Sequence, residues 1–297
     1  AKKNDVRALK YDKGVGYFDE LMTASNEYTI ENLTSVNSKE SDFAPSFYKD
    51  FIVFSTARDL ETTSRSATPY LNLYKTTRPE QGAYSTATHF SDELKSVANE
   101  SSTSFSQDGN SMYFTRNNYK KGSFNRDKKG ISRLKIYRST FKDGKWGNIE
   151  DLPFNSDLYS VAHPALNKKG DKLYFSSDMP GTLGASDIFV VDIHTDGSFG
   201  TPVNLGSKIN TESKETFPFI TALDVLYFAS DGHPGLGGLD IFSIDLANQG
   251  AVKNLGNPIN SANDDFSMIF DETTNSGFFA SDRNGGLGAD DIYALKT

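Results

Sequence analysis

Three stretches of this chain repeat one pattern without a gap. Residues 174–189 read YFSSDMPGTLGASDIF, residues 227–242 read YFASDGHPGLGGLDIF, and residues 278–293 read FFASDRNGGLGADDIY. They start 53 and 51 residues apart. That spacing fits one four-stranded propeller blade with its turns, whereas horseshoe and helical repeats are shorter or carry helical patterning. Two diverged copies precede them, FIVFSTARD at 51–59 and SMYFTRNN at 111–118, which makes five.

Each copy divides into four strand candidates. The first set lies at 43–47, 102–106, 161–166, 216–220 and 266–270, nearest the central axis, and the YF-type segments form the second. The third set lies at 71–75, 134–139, 187–192, 240–245 and 291–296. All alternate or are rich in aromatic residues, as half-buried strands do. Fourth strands at 88–94, 145–152, 199–205 and 251–255 follow only four of the third strands. The fifth sits at the other end of the chain, where YTIENLTSVNS (28–38) matches KWGNIEDLPFNS and GTPVNLGSKIN. The chain thus starts on a fourth strand and stops on a third, and a ring closes that mismatch without leaving a bare sheet edge. An open solenoid would carry polar caps and leave the end-to-end phase arbitrary.

The expected fold is therefore all-β, a five-bladed β-propeller of four-stranded antiparallel blades over residues 28–297, with the last blade closed by the N-terminal strand. Residues 1–27 fit no blade and are expected to be a linker or lead-in, as a short helix or an extended segment. The 22 Phe and 14 Tyr suit pleated surfaces, and the 24 Gly and 10 Pro fall in short scattered clusters with no linker between two domains. No stretch of 18 apolar residues occurs and no signal peptide begins the chain, so Ala1 reads as a processing boundary in a longer precursor.

The repeated Asp and Gly residues have a structural reading. Glycine reaches φ > 0 without a Cβ penalty and allows a compact turn after the second strand. Asp178, Asp187, Asp231, Asp240, Asp282 and Asp291 are expected to accept hydrogen bonds from amides that no ladder reaches. The competing reading is a Ca²⁺ site, since two carboxylates and turn carbonyls per loop are oxygen ligands. The spacing is not that of an EF-hand loop, and a motif repeated in every blade is what fold maintenance alone produces, so neither metal nor cofactor is expected.

An enzyme would show unusual residues converging on one or two blades. The histidines His89, His163, His194 and His233 are dispersed, with no HExxH pair, and neither a G-x-S-x-G elbow nor a Walker motif occurs. GLGGLD at 235–240 is glycine-rich but leads into a strand. His163 could line the axial channel, although a satisfied or solvated histidine is the plainer reading. No catalytic residue is assigned, and the chain is expected not to be an enzyme. The net charge of −8 argues against nucleic acid and against anionic membranes, and the absence of Cys removes disulfides and thiolate sites.

Propeller wiring puts the connections from second to third strand and from fourth to first strand on one face. On that face lie the loop at 58–70 and the long insertion at 116–133, so it is the candidate binding face. Within 116–135 stand Arg116, Lys120, Lys121, Arg126, Lys128, Lys129, Arg133 and Lys135 against a single Asp127. In an acidic chain this is the sharpest local anomaly. It is either a solvated hairpin or a docking site for an acidic protein or anionic glycan, and Arg116, Lys120, Lys121, Arg126, Lys128, Lys129 and Arg133 are the candidate partner-binding residues.

The blocks SDFAPSFYKDFIVFSTARD (41–59), SFSQDGNSMYFTRNN (104–118) and the YFASD…GG.DIF units resemble the WD40-like "PD" propeller repeats of OmpA-family proteins of Bacteroidetes, across residues 28–297. The TolB propeller and the non-catalytic propeller of prolyl oligopeptidases are more distant kin. The resemblance implies a periplasmic protein-binding scaffold associated with the outer membrane, within a type IX secretion, gliding or related envelope complex. It implies an envelope partner of the PorP/SprF outer-membrane type, no direct membrane insertion, and peptidoglycan contact only through a domain absent from this chain. Competing readings are a glycan or small-ligand binding propeller and a propeller enzyme such as a lyase or glycosidase. A scaffold should expose an apolar or charged patch, a ligand binder should hold a lined pocket, and an enzyme should cluster titratable groups with shifted pKa values.

Overall fold

The computed structural model describes residues 16–23, 27–59, 70–79 and 83–297. Five four-stranded antiparallel sheets follow one another around an axis. The innermost strands are Asp42–Tyr48, Glu100–Phe105, Val161–Leu166, Glu215–Ile220 and Asp265–Asp271. Next come Phe51–Thr56, Ser111–Asn117, Lys172–Ser177, Val225–Ser230 and Ser276–Ser281, and then Asn72–Thr77, Leu134–Lys142, Asp187–Asp192, Asp240–Asp245 and Asp291–Lys296. Blade 5 takes its outermost strand from the start of the chain: Thr29–Asn32 pairs antiparallel with Asp291–Lys296, Thr29 opposite Lys296 and Asn32 opposite Tyr293. The ring is closed as the phase of the repeat requires.

The outermost strands are shorter than the sequence suggests. Thr88–His89, Val203–Asn204 and Lys253–Asn254 are two residues each, and only Lys145–Asp151 has the anticipated length. In blades 3 and 4 the ladder stops at an asparagine whose side-chain oxygen accepts the amide two residues on, from Gly206 to Asn204 (2.8 Å) and from Gly256 to Asn254 (2.7 Å). That Asx turn draws the chain off the sheet edge. Ahead of the ring, Tyr17–Met22 forms one short helix, α1, buried only at Leu21, whose carbonyl accepts the Asn257 amide at 2.9 Å.

One phenylalanine per blade, Phe54, Phe114, Phe175, Phe228 and Phe279, is essentially removed from solvent. Each lies in an apolar cluster drawn from adjacent blades; Phe228, for example, packs with Ile188 and Tyr174 of blade 3 and with Ile220 and Phe242 of its own blade. Burying such a side chain contributes about 1.5–3 kcal/mol, so the core resides between the blades.

Every innermost strand carries a bulge, with one left-handed residue at the same place: Ala44, Ser102, His163, Phe217 and Ser267. The ladder cannot use the amide of a bulged residue. Hydroxyls of a neighbouring blade take three of these amides, from Ala44 to Ser267 (3.1 Å), from Ser102 to Ser55 (3.1 Å) and from His163 to Thr115 (2.9 Å).

Candidate functional site

In blades 3 to 5 the connection from second to third strand is built identically. Asp187 accepts the amides of Leu183 (2.7 Å) and Gly184 (3.3 Å) and the side-chain NH₂ of Asn204 (2.6 Å). Asp240 does the same for Leu236, Gly237 and Asn254, and Asp291 for Leu287, Gly288 and Asn32. The first aspartate of each block reaches back to the loop entering its own blade: Asp178 accepts the Ser160 amide (2.6 Å), Asp231 that of Lys214 (2.7 Å) and Asp282 that of Asp264 (2.7 Å). Burial raises the Asp240 carboxyl above its ordinary range against these donors. Among the described residues no group of three His, Asp or Glu side chains is arranged to hold a metal ion.

Blades 1 and 2 depart from this scheme at the same two positions. Where the others place Asp and Asn, blade 2 places Lys135 and Asp151, 3.8 Å apart, with Asp157 at 2.8 Å from the lysine. Blade 1 places Asn72 and His89, and Asp59 reaches in to accept the Tyr74 hydroxyl (2.6 Å) and the Asn72 amide group (3.0 Å). His89 Nε2 lies 3.0 Å from the same hydroxyl, and burial and Asp59 push Tyr74 well above its usual range. Sequence reasoning missed this cluster, for which the only available signal was the departure from the repeat. The long loop expected at 58–70 lies mostly outside the described residues.

The insertion between Asn117 and Leu134 folds into a small hairpin, Tyr119–Lys120 against Ser123–Phe124, followed by a loop pinned on Asp127. Asp127 accepts the amides of Ile131 (2.9 Å) and Lys129 (2.8 Å) and pairs with Arg133 (2.8 Å). These donors, Ile131 first, hold its carboxyl below the usual range.

The basic residues divide into two groups. Arg116 is buried, pairs with Glu100 at 2.9 Å and donates to the Leu94 carbonyl, so it serves the fold and leaves the candidate docking set. Lys135 is likewise buried on Asp157. Lys120 pairs with Asp151, and Arg133 joins Asp127 to Asp178. Arg126 lies over the Phe124 ring and donates to the Gly130 carbonyl. Lys121, Lys128 and Lys129 are exposed and have no ion pair among the described residues.

The same face exposes aliphatic side chains. Ile131 is 46% exposed, Leu158 75% and Leu183 49%. Hydrogen bonds tie their loops together: Asp127 bonds Ile131 and Arg133, Arg133 reaches Asp178 at the head of the Leu183 loop, and Asn118 donates to Asp157 (2.6 Å) next to Leu158. The junction of blades 2 and 3 therefore presents Ile131 and Leu158 with the exposed lysines of the insertion, which isolated surface residues do not, whereas Gly184 sets the Leu183 tip against the loop entering blade 4.

The chain matches no family model and no curated protein. Its fold is similar to that of solved propellers. A TolB-type protein from Agrobacterium tumefaciens superposes with a TM-score of 0.51 at 14% identity, covering 86% of this chain and 76% of that one. An α-L-arabinofuranosidase from Lactobacillus brevis gives 0.50 at 12% identity, covering 90% and 93%. The sialidase of Trypanosoma rangeli gives 0.48 at 12%, and the match spans 58% of its length.

At such identities the likeness establishes the fold alone. It still overturns one expectation: the chain was read as not an enzyme because no local catalytic motif appears, yet a glycosidase shares this architecture across nearly its whole length. A propeller can draw catalytic groups from separate blades, so a missing short motif excludes nothing.

Proposed function

We propose that this protein is an interaction platform of the bacterial envelope that docks an acidic protein segment at the junction of blades 2 and 3. The observation that carries the reading is the basic insertion itself, which exposes Lys121, Lys128, Lys129 and Ile131 and is bonded through Asn118 and Asp157 to the loop of exposed Leu158, in a chain whose net charge is −8. Aliphatic contacts supply affinity once desolvated, while the lysines steer an acidic partner and set the salt dependence. The resemblance of the repeats to OmpA-family propellers of Bacteroidetes supports a periplasmic setting near the outer membrane, in a PorE-type role within type IX secretion or gliding. A PorP/SprF-type membrane protein is then the partner to test first, and peptidoglycan contact would belong to a domain outside this chain.

The experiment is site-specific photo-crosslinking in the native envelope with a benzoylphenylalanine at Leu158, against a control at Leu223 on the opposite face. The reading expects adducts at Leu158 that map to Asp/Glu-rich protein segments and vanish when Lys121, Lys128 and Lys129 are changed to Glu. Equal adducts at both positions, or adducts indifferent to charge reversal, would reject it.

A further inference from the structure

The five innermost strands enclose a cavity of about 360 Å³ on the propeller axis. Its lining begins at the bulged residues and runs to the turns after the innermost strands, including Gln107, Lys168 and Asp271–Thr273. It therefore opens on the face opposite the insertion. Phe43, Phe217 and Phe266, with ring centroids 5.1–6.3 Å apart, pack at the level of the bulges and close its inner end.

Most of the wall is apolar: Pro45, Pro164, Pro218, Phe105, Phe219 and Met268. The few wall hydroxyls each hold one bond within the fold already. Ser46 and Thr103 bond each other, Ser104 accepts the Leu166 amide (2.9 Å), and Ser267 accepts the Ala44 amide (3.1 Å). A sugar entering here would bury several hydroxyls without partners, which is costly.

The floor is different. His163 stacks on Phe217 at 3.8 Å, and its Nδ1 lies 2.6 Å from Ser102 Oγ. Its Nε2 has no partner among the described residues. Burial, with a smaller effect from Lys214, pushes its pKa down to about 3, so the ring is neutral at ordinary pH. The charged groups of the lining stand at the mouth, where Asp271 pairs with Arg78 (2.9 Å) and Glu272 accepts the Thr221 hydroxyl (2.6 Å). A charged group driven to the floor would lose its water and find no ion-pair partner among the residues lining the pit at that depth.

We propose that this axial pit is a binding site for an uncharged aromatic ring bearing one hydrogen-bonding group, such as a phenol or indole, which enters from the face opposite the insertion and meets the Ser102–His163 pair with its polar atom. The prolines and aromatics contact the ring faces, and the paired histidine fixes its orientation, in the manner of pockets that are mostly apolar with few polar groups. The site is independent of the docking surface proposed above.

The chain's own repeats supply variants with a precedent at the bulge. Phe217 occupies the position of His163, so His163→Phe keeps a ring there and removes the polar atom; Ala44→Phe adds a ring to the floor and fills it. Phenol and indole, with benzene, benzoate and glucose as controls, are titrated into the full chain while amide resonances of Ser102, His163 and Phe217 are followed. Phenol and indole should saturate, benzoate should bind far more weakly and glucose not at all. His163→Phe should weaken phenol about tenfold, the worth of one hydrogen bond, and leave benzene unchanged. Ala44→Phe should abolish both; if it melts early, His163→Phe alone decides. The proposal is overturned if neither phenol nor indole saturates the native protein, if His163→Phe binds phenol undiminished, or if glucose or benzoate binds as tightly.

Discussion

Arg283 holds a guanidinium nitrogen 2.6 Å from Asp265, a carboxylate with no exposed surface at the start of the innermost strand of blade 5. Arg58 and Asp42 repeat the pair in blade 1 (2.7 Å), as do Arg116 and Glu100 in blade 2 (2.9 Å). In each the arginine also donates to a carbonyl of the preceding loop, of Ile259, Val36 or Leu94. Blade 3 has lost both members. Val161 takes the register of the acid and Met179 that of the arginine, and the two share one apolar cluster. Removing one partner of a buried pair strands the other, so Arg283→Met should cost about 3–5 kcal/mol. The double variant Asp265→Val/Arg283→Met, which copies blade 3, should recover most of that in urea unfolding. A double variant no more stable than the single would mean that the pair does not act as a unit.

The glycine before the last strand of the chain is fixed by the next blade. A Cβ on Gly288 would lie 1.9 Å from the Glu40 carbonyl oxygen, and Gly184 and Gly237 meet the backbone of their neighbouring blades in the same way, at 2.3 and 1.9 Å. Gly288→Ala must push blades 5 and 1 apart and should cost about 1–3 kcal/mol, the usual range for overpacking. Gly122→Ala is the contrast: its φ is +83° and nothing lies within 4 Å, so only the backbone penalty of about 1 kcal/mol applies. Thermal melts of the two variants compare packing with conformation.

Burial pushes the Glu100 carboxyl from its ordinary 4.5 up to about 7, against the opposing pull of Arg116 and Ser96. A group that holds its proton more tightly when folded contributes stability that is complete below pH 4.5 and is lost as pH rises through about 7. Glu100→Gln should remove that decline, whose slope is at most about 1.4 kcal/mol per pH unit. Asp271 works in the other direction. Burial would raise it, but Thr273 and Arg78 bring it down to about 2, so its contribution is present above pH 3.8 and fades as pH falls toward 2. Asp271→Asn should flatten only that acid limb, and urea midpoints across pH read both effects.

Much of the fold was legible because one set of contacts is made repeatedly. Asp187, Asp240 and Asp291 hold the same two amides and the same asparagine, and that network needs fixed residue types at fixed spacing. The bulges were not legible, since the left-handed positions carry Ala, Ser, His, Phe and Ser and no glycine. At Ala44, Ser102 and His163 the compensating hydroxyl comes from another blade, remote in sequence. The basic insertion was misleading for a related reason. Asp151, Asp157 and Glu100, which neutralise Lys120, Lys135 and Arg116, lie outside the segment that looked unbalanced. The axial pit gave only one trace, the histidine before Pro164, because its lining is contributed by all five blades.

Ring closure depends on a strand of four residues. Thr29–Asn32 covers the edge of Asp291–Lys296, and Asn37 secures the segment by accepting the Ile292 amide (2.9 Å) and donating to the Ile292 carbonyl (2.9 Å) and Asn32 (3.0 Å). Leu33 and Val36 follow it into the cluster between blades 5 and 1. Removing residues 1–36 would uncover a six-residue edge strand, Asp291–Lys296, and take two buried aliphatic side chains out of the closing junction. An uncovered edge pairs with another chain. The truncated protein should therefore melt earlier and elute as dimers or larger species, in proportion to its concentration. Asn37→Ala leaves the strand present but removes its clasp, and with about 1–3 kcal/mol at stake for the groups left unbonded it should lower the melting temperature while the protein stays monomeric. A monomeric truncation with an unchanged melting temperature would show that the N-terminal strand only decorates a ring already closed by the packing of blades 5 and 1.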